Sequence, residues 1–260
     1  MPTSSLSIVF GFHAVEAILS TKPKTIKRLY LLSARKDKRL QAIHAQAAKR
    51  QVPIEWQDRK RLDQLTNGNH QGVVAEIMSM VNTYDEVFLK SHLQQYLDNK
   101  QTPFLLVLDG VTDPHNLGAC LRSAEAAGVH FVVVPKDNSA ALNATAIKVA
   151  CGAAEIVPLV KVTNLARTLQ WLQQQGLWII GAAGEANKNH FEIDLRGPLA
   201  MVMGSEGKGM RRLTRDNCDH LMRIPMMGSV SSLNVSVATG ICLFEALRQR
   251  QIESVDTKKR

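Results

Sequence analysis

This 260-residue chain lacks closely spaced cysteine pairs, long apolar segments and a basic N-terminal run. Its four cysteines stand far apart without a CxxC pair, so they indicate neither a zinc site nor a disulfide framework and favour a reducing compartment. No apolar segment approaches the roughly 20 residues that a helix needs to cross a bilayer. No basic run precedes the first apolar residues, so we expect no signal peptide and predict a soluble, cytoplasmic protein.

Phosphate-binding fingerprints and metal-ligand spacings are lacking as well. The GxxxxGK[ST] loop is absent, and no glycines have the GxGxxG order and position of a dinucleotide-binding turn. Both absences argue against a nucleotide-dependent oxidoreductase. His13, His44, His70 and His130 have no metal-ligand spacing, so we expect no bound metal.

Positive charge is present in excess and is unevenly distributed. The net charge is +9, and residues 1–80 hold 13 Lys and Arg against 6 Asp and Glu, whereas the rest of the chain holds 19 against 17. A basic N-terminal unit joined to a nearly neutral body suggests a module that binds a polyanion. A solvated basic surface without a partner is the alternative.

Hydrophobic periodicity predicts two α/β units. The first, residues 1–80, includes a strand at 26–32 and helices at 37–51 and 59–65. Residues 84–99 have the pattern of a helical connector. From residue 104 onward, near-continuous apolar strands alternate with helices, which predicts a mostly parallel sheet covered on both faces. The six predicted strands are 104–108, 130–135, 155–160, 177–181, 199–203 and 221–225, and the helices start near residues 116, 143, 164, 208 and 233.

The carboxyl ends of parallel strands are where such sheets bind ligands, and polar loops follow three of the predicted strands. After the first strand, Asp113 and Asn116 are plausible helix caps. Arg122 has no such explanation. It lies on a helix of mostly small or apolar residues, where it either extends outward or anchors an anion.

The second polar loop contains Gly204, Gly207 and Gly209 directly after a buried strand. These glycines permit a ligand to approach the backbone, and we expect them to leave amides free at the start of a helix near Lys208. Glu206 would repel a phosphate. An adenosine without phosphates therefore suits this loop better than a nucleotide.

The third polar loop, 228–234, joins an apolar strand to the last helix and has more hydrogen-bonding groups than a turn requires. An N-cap at Ser231 or Ser232, with Asn234 incidental, would explain this loop taken alone. Three polar loops that meet at one edge of a sheet are harder to explain as caps. Together they favour a binding site.

The three loops resemble the three ordered motifs of the SpoU branch of the SPOUT RNA ribose 2′-O-methyltransferases. The resemblance covers 104–250. The matching residues are Asn116, Gly118 and Arg122; Met203, Gly204, Ser205, Glu206, Gly207 and Gly209; and Ile224, Pro225, Met226, Gly228, Ser232, Leu233, Asn234, Val235 and Ser236. Residues 10–15 and the basic N-terminal unit resemble the corresponding parts of those family members that methylate a guanosine in the peptidyl-transferase P loop of 23S ribosomal RNA.

This resemblance implies an α/β fold with a trefoil-knotted SPOUT methyltransferase domain at 103–252 and a smaller N-terminal α/β RNA-binding domain of ribosomal-protein type at 1–80. A connector at 81–102 and a polar C-terminal tail at 253–260 complete the expected organisation. The resemblance also implies a homodimer, S-adenosylmethionine as methyl donor without a metal, and 23S ribosomal RNA or a large-subunit assembly intermediate as partner. By position, the catalytic residues are Arg122, Asn116, Glu206, Ser232 and Asn234, and the cofactor-binding residues are Gly204, Ile224 and Leu233.

Two roles stay open for Arg122. A guanidinium normally remains protonated in proteins, so a general base would need an unusual environment, whereas an anchor for the phosphate beside the target ribose would not. We expect Glu206 to orient Arg122, and Asn116, Ser232 and Asn234 to position the loop and the hydroxyl.

Two other functions also stay open. One is ribose methylation of another ribosomal or transfer RNA nucleotide. The other is a non-enzymatic RNA-binding or ribosome-assembly protein of the same fold, which is disfavoured because it would not need Arg122, Glu206 and Asn234 all intact.

Overall fold

The computed structural model describes residues 5–35, 37–66, 70–79 and 83–257. The chain divides into two compact units, Met1–Asn82 and Thr83–Arg260. Within the described ranges, no helix has the length and apolar character that crossing a membrane requires.

The N-terminal unit is a four-stranded sheet with helices on both faces. Its elements are β1 (Ser5–Phe10), α1 (Phe12–Thr21), β2 (Ile26–Leu32), α2 (Lys38–Lys49), β3 (Ile54–Gln57), α3 (Arg59–Leu65) and β4 (Val73–Ser79). The strand order is β1-β4-β2-β3, and β2 and β3 are parallel while the other pairs are antiparallel. The main core lies between the sheet and α1 and α2, where Val15, Leu19, Leu29 and Ile43 are fully buried.

The second unit contains one eight-stranded sheet in its described part. Its elements are β5 (Thr83–Tyr84), α4 (Glu86–Asp98), β6 (Phe104–Asp109), α5 (Pro114–Ala126), β7 (Phe131–Pro135), α6 (Ala144–Ala150), β8 (Leu159–Val162), α7 (Leu165–Gln174), β9 (Trp178–Ala182), β10 (Lys188–Asn189), β11 (Leu199–Gly204), α8 (Arg212–Asp216), β12 (His220–Arg223) and α9 (Val235–Thr257). The strand order is β10-β12-β9-β11-β6-β7-β8-β5, and every pair is parallel.

Helices cover this sheet on both faces, as the apolar strands predict. Along β6, Leu106 and Leu108 pack in one core with α5 and α9, while Leu105 and Val107 pack in the other with α4 and α7. All six β6 residues are buried. The prediction of a mostly parallel, doubly covered sheet is confirmed, because the strand pairs are parallel and a helix-covered core lies on each face. The knot stays a prediction that rests on the resemblance.

The interval 81–102, expected as a connector, contributes two elements to the second unit. β5 pairs with β8, and α4 buries Leu89 and Leu93 in the core with α7. The expected tail also differs, because α9 continues to Thr257 where no glycine or proline interrupts it. Residues 80–82, where the predicted boundary between the N-terminal unit and the connector falls, and residues 258–260 lie outside the described residues.

Two predicted elements are displaced along the sequence. The strand expected at 155–160 begins at Leu159, directly after Pro158, because proline cannot donate a ladder hydrogen bond. The helix expected near Lys208 begins at Arg212. Gly207 and Gly209 have φ angles of 76° and 65°, which turn the chain back before a helix can start.

Candidate active site

Four neighbouring strands end at the same edge of the sheet in the second unit. The order β12-β9-β11-β6 is parallel throughout, so the segments that follow these strands come together there. The three polar loops predicted from the sequence follow β6, β11 and β12. The structure therefore brings together the segments that the sequence separates by about a hundred residues.

A cavity of about 530 Å³ lies at this edge. It is formed by the ends of β9 and β11 and by the join between β12 and α9. Its walls include five of the eight predicted site residues: Gly204, Glu206, Ile224, Ser232 and Leu233. Methionine, alanine and valine side chains supply much of the remaining lining, so the cavity is mainly apolar with a few polar groups, as small-molecule sites usually are.

The turn after β11 forms one wall of the cavity and is closed by its own backbone. Ser205 and Gly209 exchange two N–H···O=C bonds of 3.0 and 2.9 Å, and the Lys208 amide donates to the Glu206 carbonyl. These amides are not left free, contrary to the expectation from the glycine pattern. A Cβ on Gly204 would lie 2.2 Å from the Gly209 carbonyl carbon, so this position has no room for a side chain.

An ion pair between a buried carboxylate and a half-exposed arginine anchors the far end of the same turn. The Asp109 carboxylate, at the end of β6, accepts hydrogen bonds from the Arg211 backbone N–H at 2.8 Å and from its Nε at 2.7 Å. The Asp109 side chain is fully buried while that of Arg211 is half exposed. Sequence reasoning did not assign either residue to the site. A carboxylate that directly follows a buried apolar strand was the signal that could have found Asp109.

Glu206 is the centre of a hydrogen-bonded cluster from all three loops. Its Oε1 accepts from Asn116 Nδ2 at 3.3 Å, from Asn234 Nδ2, and from the Val235 backbone N–H at 3.2 Å. Asn234 Nδ2 also donates to Asn116 Oδ1 at 3.0 Å. The predicted residues Asn116, Glu206 and Asn234 are thus joined in one network beside the cavity.

The start of α9 explains part of the third loop. Asn234 Oδ1 accepts from the Ser236 backbone N–H at 2.9 Å, which is the N-cap interaction, and the Glu206 carboxylate accepts from the first helical N–H. A carboxylate at a helix N-terminus is stabilised by the positive end of the helix dipole. Asn234, rather than Ser231 or Ser232, therefore caps the helix, and Ser231 and Ser232 line the cavity.

Arg122 lies apart from this network. It is exposed on α5, and its Nη1 contacts Cys151 Sγ at 3.6 Å, whereas the hydrogen bonds of Glu206 go to Asn116, Asn234 and Val235. The expectation that Glu206 orients Arg122 is therefore wrong. The motif residue Gly118 allows α5 and α6 to pack closely, because a Cβ there would lie 2.5 Å from the Ala146 carbonyl oxygen. This packing places Arg122 beside Cys151 at the end of α6.

The cavity has a wall that the sequence did not indicate. Ala182, the last residue of β9, and Ala183 and Gly184 after it line the cavity. The sequence signal that could have indicated this wall is a run of small residues at the end of a buried strand, because small residues leave space beside the backbone for a ligand. After β11 the corresponding signal was stronger, because Gly204 is followed by Gly207 and Gly209 within five residues.

The described residues contain no cluster of three or more His, Cys, Asp or Glu side chains that could hold a metal ion. All four cysteines are free thiols. Burial raises the pKa of Cys120 to about 11 and that of Cys242 to about 12, so both stay protonated at neutral pH.

Comparison with known proteins matches both units. Residues 103–244 match the model of the SpoU rRNA Methylase family, and residues 8–79 match that of the RNA 2′-O ribose methyltransferase substrate-binding domain. A Pseudomonas aeruginosa protein named 23S rRNA (guanosine-2′-O-)-methyltransferase is 59% identical over 93% of this chain and 96% of its own length.

Solved structures of similar fold span most of the chain. A structure described as an RNA 2′-O ribose methyltransferase has a TM-score of 0.74 at 24% identity and covers 95% of this chain and 90% of its own. The SpoU methyltransferase AviRb from Streptomyces viridochromogenes, solved in complex with AdoMet, has a TM-score of 0.70 at 22% identity and covers 94% and 90%. At these identities the structural matches establish the fold.

Proposed function

Because this chain belongs to the SpoU rRNA methylase family, we propose that it transfers a methyl group from S-adenosylmethionine to the 2′-hydroxyl of a guanosine ribose in 23S ribosomal RNA, in the cytoplasm. The observation that carries this proposal is the cavity at the end of β11, bordered by the network of Glu206, Asn116 and Asn234. The relative from Pseudomonas aeruginosa supports the choice of 23S RNA and guanosine.

The residues of the cavity fit S-adenosylmethionine. Gly204 has no side chain, which allows the turn after β11 to lie close to the end of the strand. The cavity walls formed by Ile224 and Leu233 suit an apolar heterocycle better than a phosphate. The Glu206 carboxylate in the cavity wall disfavours phosphates and is compatible with a cationic ligand. When bound, this cofactor supplies an activated methyl group on a sulfonium sulfur.

Because the donor is already activated, the protein chiefly has to align the ribose hydroxyl and assist loss of its proton. Asn234 and Asn116 are held by Glu206, which fixes the join between β12 and α9 beside the cavity. Arg122 is exposed and its contact is with the Cys151 sulfur instead of a carboxylate, so its guanidinium can bind an RNA phosphate next to the target ribose. Ser232, on the cavity wall, can hydrogen-bond the ribose.

The direct test is methyl transfer by the purified protein to 23S ribosomal RNA transcript and to large-subunit assembly intermediates, with labelled S-adenosylmethionine. We expect one labelled 2′-O-methylguanosine in at least one of these substrates. Incorporation into a base rather than a ribose would contradict the proposed reaction.

The basic N-terminal unit is proposed to bind the RNA through phosphate contacts. Removal of residues 1–82 is expected to raise the KM for RNA at least about tenfold and to flatten the dependence of RNA affinity on salt, because fewer counterions are released. Affinity for S-adenosylmethionine should change little, since the cavity and both cores of the second unit lie within 83–260. Unchanged turnover on ribosomal RNA after this removal would refute the assignment.

We also propose that the protein is a homodimer that uses α9. Val237, Ile241 and Phe244 follow one another at helical spacing, and Val237 and Phe244 are 51% and 48% exposed. An apolar stripe on a helix whose opposite face is buried in the core needs a partner to be removed from water.

Phe244→Glu is expected to convert the dimer to a monomer, as measured by light scattering after size-exclusion chromatography. A matched control is Phe191→Glu, because Phe191 is 52% exposed but lies outside α9. A monomeric wild-type protein, or equal effects of both substitutions, would contradict a dimer interface formed by the apolar residues of α9.

A further inference from the structure

The N-terminal unit has a cavity of its own at the free edge of its sheet. The cavity has a volume of about 350 Å³ and is lined by Ser33, Arg35, Leu40, Gln41 and Trp56. Its walls come from the ends of β2 and β3 and from the first turn of α2. None of these residues belongs to the methyltransferase site in the second unit.

Trp56 is exposed although it lies on the same side of the sheet as the core. It pairs in register with the fully buried Leu31, but β3 is the edge strand of the sheet, and Trp56 is 49% exposed there. The His44 ring of α2 lies 5.4 Å from the indole and supports it from the helix side. A large aromatic surface held in place and left open to solvent is suited to binding a flat ligand.

Positive charge borders this aromatic surface. The Arg35 guanidinium is held by hydrogen bonds to Asp37 and to the Gln71 carbonyl, and its carbon lies 4.9 Å from the Phe12 ring centroid. Asp37 offsets part of this charge, since the hydrogen bond from Arg35 lowers the pKa of its carboxyl and keeps it ionised. The sequence 35–39 still carries four basic residues against one acidic residue. An anionic ligand is therefore favoured over a cationic or neutral one.

We propose that this cavity binds one unpaired nucleobase of the RNA substrate, stacked on Trp56, with the adjoining phosphate bound by Arg35. This inference rests on the proposed function, because it assumes that the chain acts on RNA. A nucleobase provides the flat face for the indole, and its phosphate provides the charge for Arg35. Bases inside an A-form helix are stacked on each other, so only a loop, bulge or end offers a free one.

The test compares the affinity of full-length Trp56→Ala, Trp56→Phe and wild-type protein for a ribosomal RNA hairpin with an unpaired loop. Trp56→Ala is expected to weaken binding about 5- to 150-fold, the range for loss of one stacked base, whereas Trp56→Phe keeps most of the affinity. Trp178→Ala is the matched control, because Trp178 is 54% exposed and lies 5.3 Å from the ring of His220, but stands at the amino edge of the other sheet. This control should bind like the wild type.

Two further readouts identify stacking. The slope of log affinity against log salt should be the same for Trp56→Ala and wild type, because a stacked base releases no counterions. In protein with Trp171→Phe and Trp178→Phe, the remaining Trp56 fluorescence should be quenched by the hairpin and not by a blunt duplex. This second readout needs no substitution at Trp56, so it holds even where Trp56→Ala fails to fold.

The outcomes separate this inference from the proposed function. Hairpin affinity that is unaffected by Trp56→Ala, or equal quenching by duplex and hairpin, overturns the base-binding site while wild-type methyl transfer stands. A different result is also informative. If Trp56→Ala weakens hairpin binding and the hairpin quenches Trp56 fluorescence, but the wild-type protein methylates no ribosomal RNA, then the base-binding site is supported and the proposed reaction is rejected.

Discussion

Arg122→Ala is expected to lower kcat for methyl transfer about 10²- to 10⁴-fold, the range that one group assisting proton removal contributes. Affinity for S-adenosylmethionine should stay nearly unchanged, because Arg122 is on α5 and the cavity is formed by β9, β11 and the join after β12. Single-turnover methyl transfer and equilibrium cofactor binding measure the two quantities separately. Loss of both together would contradict the assignment of Arg122 to the reaction rather than to cofactor binding.

Arg122→Lys distinguishes the two roles of this residue. A phosphate anchor keeps its charge in the lysine variant, so we expect partial recovery of kcat and a raised KM for RNA. A general base would instead show a changed pH–rate profile. Arg196→Ala is the matched control, because Arg196 is also exposed and its partner Asp194 lies before β11, at the opposite edge of the sheet. Its kinetics should equal those of the wild type.

Gly204→Ala is expected to lower affinity for S-adenosylmethionine at least about tenfold. The added Cβ would lie 2.2 Å from the Gly209 carbonyl carbon and 2.3 Å from the Met210 nitrogen, and both are backbone atoms that cannot rotate away. The turn must therefore move out of the cavity wall, against the anchor formed by Asp109 and Arg211. Overpacking of this kind also destabilises proteins by about 1–3 kcal/mol, which should appear as a lower Tm.

Gly197→Ala controls for a general effect of replacing glycine, since a Cβ there meets no atom within 4 Å. Neither its cofactor affinity nor its Tm should change appreciably. If Gly204→Ala binds S-adenosylmethionine as tightly as the wild type, then the turn after β11 does not shape the cofactor site.

The sequence predicts the sheet of the second unit well because its strands are buried on both faces. Such strands read as continuous apolar runs, and β6 and β11 were placed to within one residue of their observed bounds. β5 has two residues and β10 has two, so neither has a periodicity to detect. α4 has the pattern of an exposed connector, since only Leu89 and Leu93 are buried among its residues.

The residues of the site were predictable from composition and order, whereas their contacts were not. The sequence indicates that polar groups follow three strands, and parallel strands place those groups at one edge. It does not specify that Glu206 accepts from Asn116 and Asn234 instead of contacting Arg122. The position of the Glu206 carboxylate depends on how the turn closes between Ser205 and Gly209. That closure is set by the backbone conformation of Gly207 and Gly209.

Ribose-methylation mapping of ribosomal and transfer RNA from cells with and without this gene tests the proposed reaction and its target together. We expect loss of one 2′-O-methylguanosine in the peptidyl-transferase P loop of 23S ribosomal RNA. Loss of a different ribose methyl group would keep the reaction and change the target. If no ribose methyl group changes in any of these RNAs, the proposed methyl transfer is refuted, and an RNA-binding protein without methyltransferase activity is favoured.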